Sequence, residues 1–521
     1  MVESPAKRQK SKQHKEPSPS HEVASLVLVV AAIGGLVYSF IRSQKLMHHA
    51  ETALIVDVET TTTTQTDLCG PPTKDGRPVV ISMLYSSDKQ PWVELGANRF
   101  ARLCPNIQVK LIHMGDIESA DAILAGQEVP TLWAPADDLV LRYLDVRWRA
   151  EKGNGRPLFD ITQPVSLVQS PLVVLIWEDR LQVVNSVMAA RSGERDQGFW
   201  ASAMCAQVPS DPSLTGMVIG DMVPGQWIDW YNPVLPAPSK RPALVPPKPG
   251  APKLESSAPA YHAPFPTLEQ LRSWGRVKLG HTSPTRSAAG LEALYLMAFE
   301  HLLPLKDRAP AASQKPLIDT SEPSSGGRVI ANEALRDDFQ RAFAERKSSL
   351  LTWLKRCEAG LDAAPKSAQE LTDTMFNVGA SRYDAVLTYE HLTFQVFKSI
   401  DAFTNVMHDM RIIYPQPTIM NQHPVVVLQG SKEPTEAEKL SAAKWIAFLR
   451  TKQMQESAIE HGFRPSNPDI SIRNYESQTN LFMSFRRYGV TFDDPIVEPP
   501  RLNGETVYEL IRIWQDATGR N

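Results

Sequence analysis

Val79-Val80-Ile81-Ser82-Met83-Leu84-Tyr85 is an apolar run relieved only by Ser82 and the Tyr85 phenol, and Ser86-Ser87-Asp88 follows at once. A short run with this β-branched and aromatic content, closed by turn-forming residues, reads as a buried strand. Beyond it, Trp92, Leu95, Phe100 and Leu103 recur at helical spacing, although Gly96 weakens that reading. Ile107 to Ile112 reads as a second strand, Asp116 to Ala125 as a short helix, and Val129 to Trp133 as a third strand. The order β-α-β-α-β with short connections predicts an α/β fold, with a mostly parallel sheet covered by helices on both faces.

The same grammar returns further along. Strands are expected at Leu172 to Trp177, Val277 to His281, Ala385 to Tyr389 and Val425 to Leu428. Helices are expected from Ser287 to Leu302, after Tyr389, and over a long amphipathic stretch from Ala437 to Ile459. Two stretches interrupt the pattern. Pro233 to Pro266 is rich in the chain's 42 prolines, and Pro304 to Asn332 resembles it more weakly. Both read as solvent-exposed insertions.

At the start, residues 1–22 form a basic tail containing Lys7, Arg8, Lys10, Lys12 and Lys15. Val23 to Ile41 then runs nineteen residues without a charge. As a helix it would rise about 28 Å, close to the ~30 Å of a bilayer core. A cleaved signal peptide has an apolar region of about 7–15 residues, so this longer run reads as an uncleaved signal anchor. The cations before it outnumber Arg42 and Lys45 after it, which places the tail in the cytoplasm and exports the remainder. Residues 42–77 read as a polar tether.

Across 521 residues, 55 Lys and Arg face 58 Asp and Glu, for a net charge of −3. That balance supplies no basic field for nucleic acid and excludes wholesale disorder. Four cysteines make no disulfide framework. In an exported compartment Cys69 and Cys104 either pair, stapling the tether to the first sheet, or stay as buried thiols. There is no HExxH, CxxC, GxSxG, GxxxxGK[ST] or GxGxxG, so metal, hydrolytic and nucleotide chemistry have no motif to rest on. No cofactor is implied, and no catalytic residue is assigned.

Chemistry-bearing residues gather instead at the ends of expected strands, where open α/β sheets bind ligands. Ser86 and Ser87 follow the first strand, Trp133 ends the third, and Tyr389-Glu390 ends a later one. Ser170 precedes its strand. Gly280-His281-Thr282-Ser283-Pro284-Thr285-Arg286-Ser287 joins a strand to a helix, offering hydroxyls beside free backbone N–H groups. Each string alone also reads as ordinary capping or packing, with Ser287 or Thr285 as a helix cap. Trp227 reads as packing in preference to ligand stacking.

The order of a YSS loop, a W-x-P turn, an SP-L-V-V strand, GHTSPTRS-x-x-GL, YE and a closing GFRP-x-NP resembles extracellular solute-binding proteins of bacterial ABC transporters. The likeness is to the type-2, molybdate/sulfate-binding-like branch, from about Val79 to Asp469. It implies a two-lobed periplasmic-binding-protein-like fold: residues 78–165 as the first part of lobe 1, 166–420 as lobe 2 with the insertion 233–266, and 421–521 returning to lobe 1 with a C-terminal extension. It implies capture of a small solute, such as an oxyanion, in the cleft by Ser86, Ser87, Ser170, Thr282, Ser283, Thr285, Ser287, Tyr389 and Glu390, with Trp133 at the same edge. The partner implied is an ABC permease, and the setting is the bacterial inner membrane with the main domain on its periplasmic side. A membrane-anchored sensor or scaffold using the same fold without transport is the alternative.

Overall fold

The computed structural model describes residues 69, 76–162, 164–191, 227, 266–304, 329–358, 364–402, 410–429, 433–475, 479–493 and 495–520. The expected anchor 23–41, nearly all of the tether and the insertion 233–266 apart from Pro266 lie outside them. Among the described residues no helix is long and apolar enough to cross a membrane.

The strands run in chain order as β1 (Val79–Ser86), β2 (Ile107–Met114), β3 (Leu132–Ala134), β4 (Val165–Ser166), β5 (Val168–Trp177) and β6 (Leu279–Gly280). They continue as β7 (Val329–Ala331), β8 (Ala385–Tyr389), β9 (Met410–Ile413), β10 (Met420–Asn421), β11 (Pro424–Val427), β12 (Arg464–Pro465) and β13 (Ile496–Glu498). One sheet has the order β2-β1-β3-β11-β4 and a second has β10-β5-β8-β6. The fold is mixed α/β.

In the first sheet β1 pairs parallel with β2, from Val79 opposite Ile107 to Ser86 opposite Met114, and parallel with β3. Alternation along β1 fills two cores. Ile81, Met83 and Tyr85 pack with Trp92, Phe100, Trp445 and Phe448, while Leu84 joins the core on the other face. Gly96, which weakened the helical reading, lies within the helix Gln90–Leu103. A Cβ there would come within 2.9 Å of Leu449 and 3.0 Å of Met454, so its small size is what lets two helices approach.

The expectation of a mostly parallel sheet holds for β1, β2 and β3 and needs correction in the second sheet. In the first sheet only β11 runs against its neighbours β3 and β4, whereas in the second β5 pairs antiparallel with β8, β9, β10 and β12. The reason is connectivity. The chain leaves the first sheet at β4, runs directly into β5 of the second, and comes back through β10 into β11. Two passages in opposite directions join the sheets, and only an antiparallel ladder accommodates strands running out and back side by side.

Two boundaries also differ. Val129 is 51% exposed and outside the third strand, which begins at Leu132. The long helix is broken into Glu436–Leu449 and Lys452–Glu460, because the Thr451 hydroxyl caps the second by accepting from the Met454 N–H. The C-terminal helix Gly504–Thr518 packs on the helices Lys347–Glu358 and Asp138–Glu151. Cys69 and Cys104 are paired, with Cα atoms 5.2 Å apart, which fixes the earlier of the two readings for them. Cys357 is disulfide-bonded as well.

Candidate functional site

Three loops at the carboxyl ends of β1, β2 and β3 bring Lys89, Asp116 and Asp137 together. The loop 281–287 and the helix Ala288–Leu302 approach from the second sheet. The joint is closed by direct bonds. Asp116 accepts from the Ala136 N–H at 2.9 Å through one oxygen and from the Ala288 N–H at 3.2 Å through the other. The Ile117 N–H donates to the Arg286 carbonyl at 3.3 Å.

Asp116 thereby does the work expected of a local cap. Ser287 has the extended backbone of a helix cap but its hydroxyl makes no capping bond. Gly290 explains how the loop lies so close, since a Cβ there would come within 2.7 Å of the Ser283 backbone. Ser287 and Thr282 are both buried, and their hydroxyl oxygens have no partner among the described residues. Ser283 and Thr285 bond to each other at 2.8 Å.

The remaining expected residues are distributed along the crossing. Ser86 donates to Asp88 at 3.4 Å, and Ser87 is half-buried beside it. Ser170 lies within 2.9 Å of His391 Nδ1, whose Nε2 faces the Asp88 carbonyl at 3.1 Å. A neutral imidazole with its proton on Nε2 satisfies both contacts. Burial holds His391 at about 3, in keeping with that neutral form. Tyr389 donates to Glu292 at 3.0 Å, and Asn421 reaches the other Glu292 oxygen at 3.0 Å. Glu390 points elsewhere, taken up by Arg464 and Tyr414. Trp133 is fully buried, its indole N–H on Ser119 at 2.9 Å and its ring against Phe159, so it braces the first sheet. Trp227 is buried too, packed on Trp274 with its N–H on Asp384 at 2.9 Å.

Sequence reasoning missed Lys89, Asp88, Asp116, Glu292, His391 and His423 as members of this cluster. Lys89 has no exposure, donates to the Pro135 carbonyl at 3.1 Å, and is lowered to about 8 by burial against the pull of Asp116 and Asp88. Burial and then the Asp116 charge push Asp88 up to about 7. Burial holds Glu292 and Asp137 well above the usual carboxylate range. His423, in the left-handed region at φ +40°, has neither ring nitrogen bonded among the described residues. The available signal was position: Asp116 stands at the end of β2, where the strand-end rule already pointed.

At the rim of this joint lies a cavity of about 680 Å³ lined by Met114, Glu118, Thr285, Arg286, Tyr508 and Arg512, and a smaller one of about 360 Å³ is lined instead by Arg180, Trp274 and Lys278. The C-terminal helix supplies one wall of that larger cavity. Among the described residues no three His, Cys, Asp or Glu side chains are placed to hold a metal ion.

No family model matches the chain, and no curated protein matches it. Solved structures similar to it are periplasmic substrate-binding proteins of ABC transporters. The sulfate-binding protein SubI from Mycobacterium tuberculosis H37Rv aligns at 10% identity over 81% of this chain and 94% of that one, with a TM-score of 0.38. Iron-bound HitA from Pseudomonas aeruginosa aligns at 12% identity over 84% and 99%, with a TM-score of 0.40. Apo FutA2 from Synechocystis PCC6803 aligns at 11% identity over 85% and 100%, with a TM-score of 0.41.

Proposed function

We propose that this chain is an extracytoplasmic solute-binding protein with two lobes of the type-2 arrangement, anchored by residues 23–41 and serving an ABC permease. The observation that carries the reading is the pair of crossing passages, β4 into β5 and β10 into β11, as the links between two sheets whose loops meet face to face. Two bodies joined by a few extended residues open and close about those residues, and a solute that favours the closed form shifts the population toward it. The Cys69–Cys104 bridge supports an exported location, since such bonds persist in oxidising compartments. A helix N-terminus with two unpartnered hydroxyls supports an oxyanion as the solute.

The test is thermal unfolding of the full-length chain against oxyanions, sugars, amino acids and polyamines. A ligand at 100 times its Kd adds about 2.7 kcal/mol of stability, an easily read shift. A hit weakened by Ser87→Ala or Thr282→Ala supports solute capture at this site. Silence across the panel overturns it and favours the scaffold reading, in which the interlobe surfaces bind only each other.

A further inference from the structure

We propose that Asp116 is a tethered competitor: its carboxylate fills an oxyanion site of this chain, and a free oxyanion enters only when Asp116 withdraws. The inference rests on the solute-binding reading and adds the residue that sets its specificity. Asp116 is 3% exposed and is held as a bound anion would be. One N–H reaches it from the loop after β3 and another from the first residue of the helix Ala288–Leu302, at 2.9 and 3.2 Å. That helix has 15 residues, and its N-terminus presents a partial positive charge. The buried Lys89 ammonium acts on the same carboxylate. Donors from both sheets and a cation thus converge on one anion, and the anion belongs to the chain itself.

The fit is incomplete in an informative way. A carboxylate has two oxygens, and both are spent on the two N–H groups. Thr282 Oγ1 and Ser287 Oγ, buried on either side of the same turn, are left without partners among the described residues. A tetrahedral oxyanion brings four oxygens, enough for the two N–H groups and both hydroxyls. Burial raises the nearby Glu292 and Asp137 carboxyls well above the usual range, which weakens their opposition to a bound anion.

The experiment compares the full-length wild type with Asp116→Gly and Asp116→Asn. Thermal unfolding is followed while sulfate is titrated against sodium chloride of matched ionic strength. Removing the tethered carboxylate is expected to give a saturable sulfate-dependent rise in Tm, half-complete at a concentration about tenfold or more below that of the wild type. Asp116→Asn, which keeps the size and one acceptor but loses the charge, is expected to fall between them and answers for a glycine variant that fails to fold. A sulfate response in the variants no greater than in chloride, or no greater than in the wild type, overturns the proposal. If the wild type binds an uncharged or cationic solute while the variants ignore sulfate, the competitor is refuted and solute capture stands. If the variants bind sulfate while the wild type binds nothing, the competitor stands and solute capture fails.

Discussion

Arg464 grips Glu390 from inside the second sheet, its Nε 2.7 Å from one carboxylate oxygen and its Nη2 2.6 Å from the other. Neither side chain is exposed, and Tyr414 adds a third bond to Glu390 at 2.6 Å. Arg464 lies in β12, which pairs with β5 beside Gln169 at the point where the chain crosses between sheets. The pair therefore ties the GFRP turn to the end of β8. Breaking one side of a buried ion pair leaves an uncompensated charge, at a cost of about 3–5 kcal/mol. Glu390→Gln is expected to lower stability by that order in denaturant unfolding. A loss within experimental error would show that the pair contributes nothing beyond its isostere.

Gly290→Ala tests the close approach of the loop 281–287 to its helix. A methyl group would meet the Ser283 carbonyl carbon at 2.7 Å and Pro284 N at 2.8 Å. Backbone cannot rotate away as a side chain can, so overpacking of about 1–3 kcal/mol is expected. A neutral result would mean that the loop lifts freely from the helix.

Asp88 gives a pH dependence of definite sign. Its folded carboxyl is raised to about 7 from 3.8, by burial first and by the Asp116 charge second. Between those values the folded chain keeps a proton that the unfolded chain has released, so this group's contribution to stability is lost as pH rises through the window. His391, held at about 3, works in the opposite sense. Asp88→Asn isolates the first effect. Relative to wild type, the variant is expected to gain stability from about pH 4 to about pH 7 and to gain no more above it. Parallel stability curves for the two proteins would contradict this.

The Cys69–Cys104 bridge closes a loop of sequence separation 35. Chain-entropy arguments give such a bridge about 3–4 kcal/mol. Cys104→Ser is expected to lower stability by roughly that amount, and reduction of the wild type, which also opens the bridge at Cys357, should lower it by at least as much. Equal midpoints for variant and wild type would show that the bridge constrains little.

Where composition speaks directly, the sequence was readable. The run Val79 to Tyr85 is a strand because its side chains bury both faces, and Asp116–Ala125 is a helix with the bounds its pattern gave. Asp137 caps the next helix from the position its residue type suggests, accepting from the Leu139 N–H at 2.8 Å. Strand direction was readable where helices alternate with β1, β2 and β3, and not around β5, because alternation and apolarity are the same in parallel and antiparallel ladders. Helix breaks such as Thr451 were hidden by an apolar period that continues across them.

Local sequence by itself determined the elements of this protein and the strand ends at which hydroxyls and carboxylates gather. Only the tertiary structure decided what those groups meet. Asp116 and Ala288, joined by a hydrogen bond, lie 172 residues apart. Ser170 and His391 are separated by 221. Residue type and spacing report the few neighbours along a turn, whereas a buried charge takes its partner from whatever the crossing strands carry opposite it, and that depends on how the two sheets close.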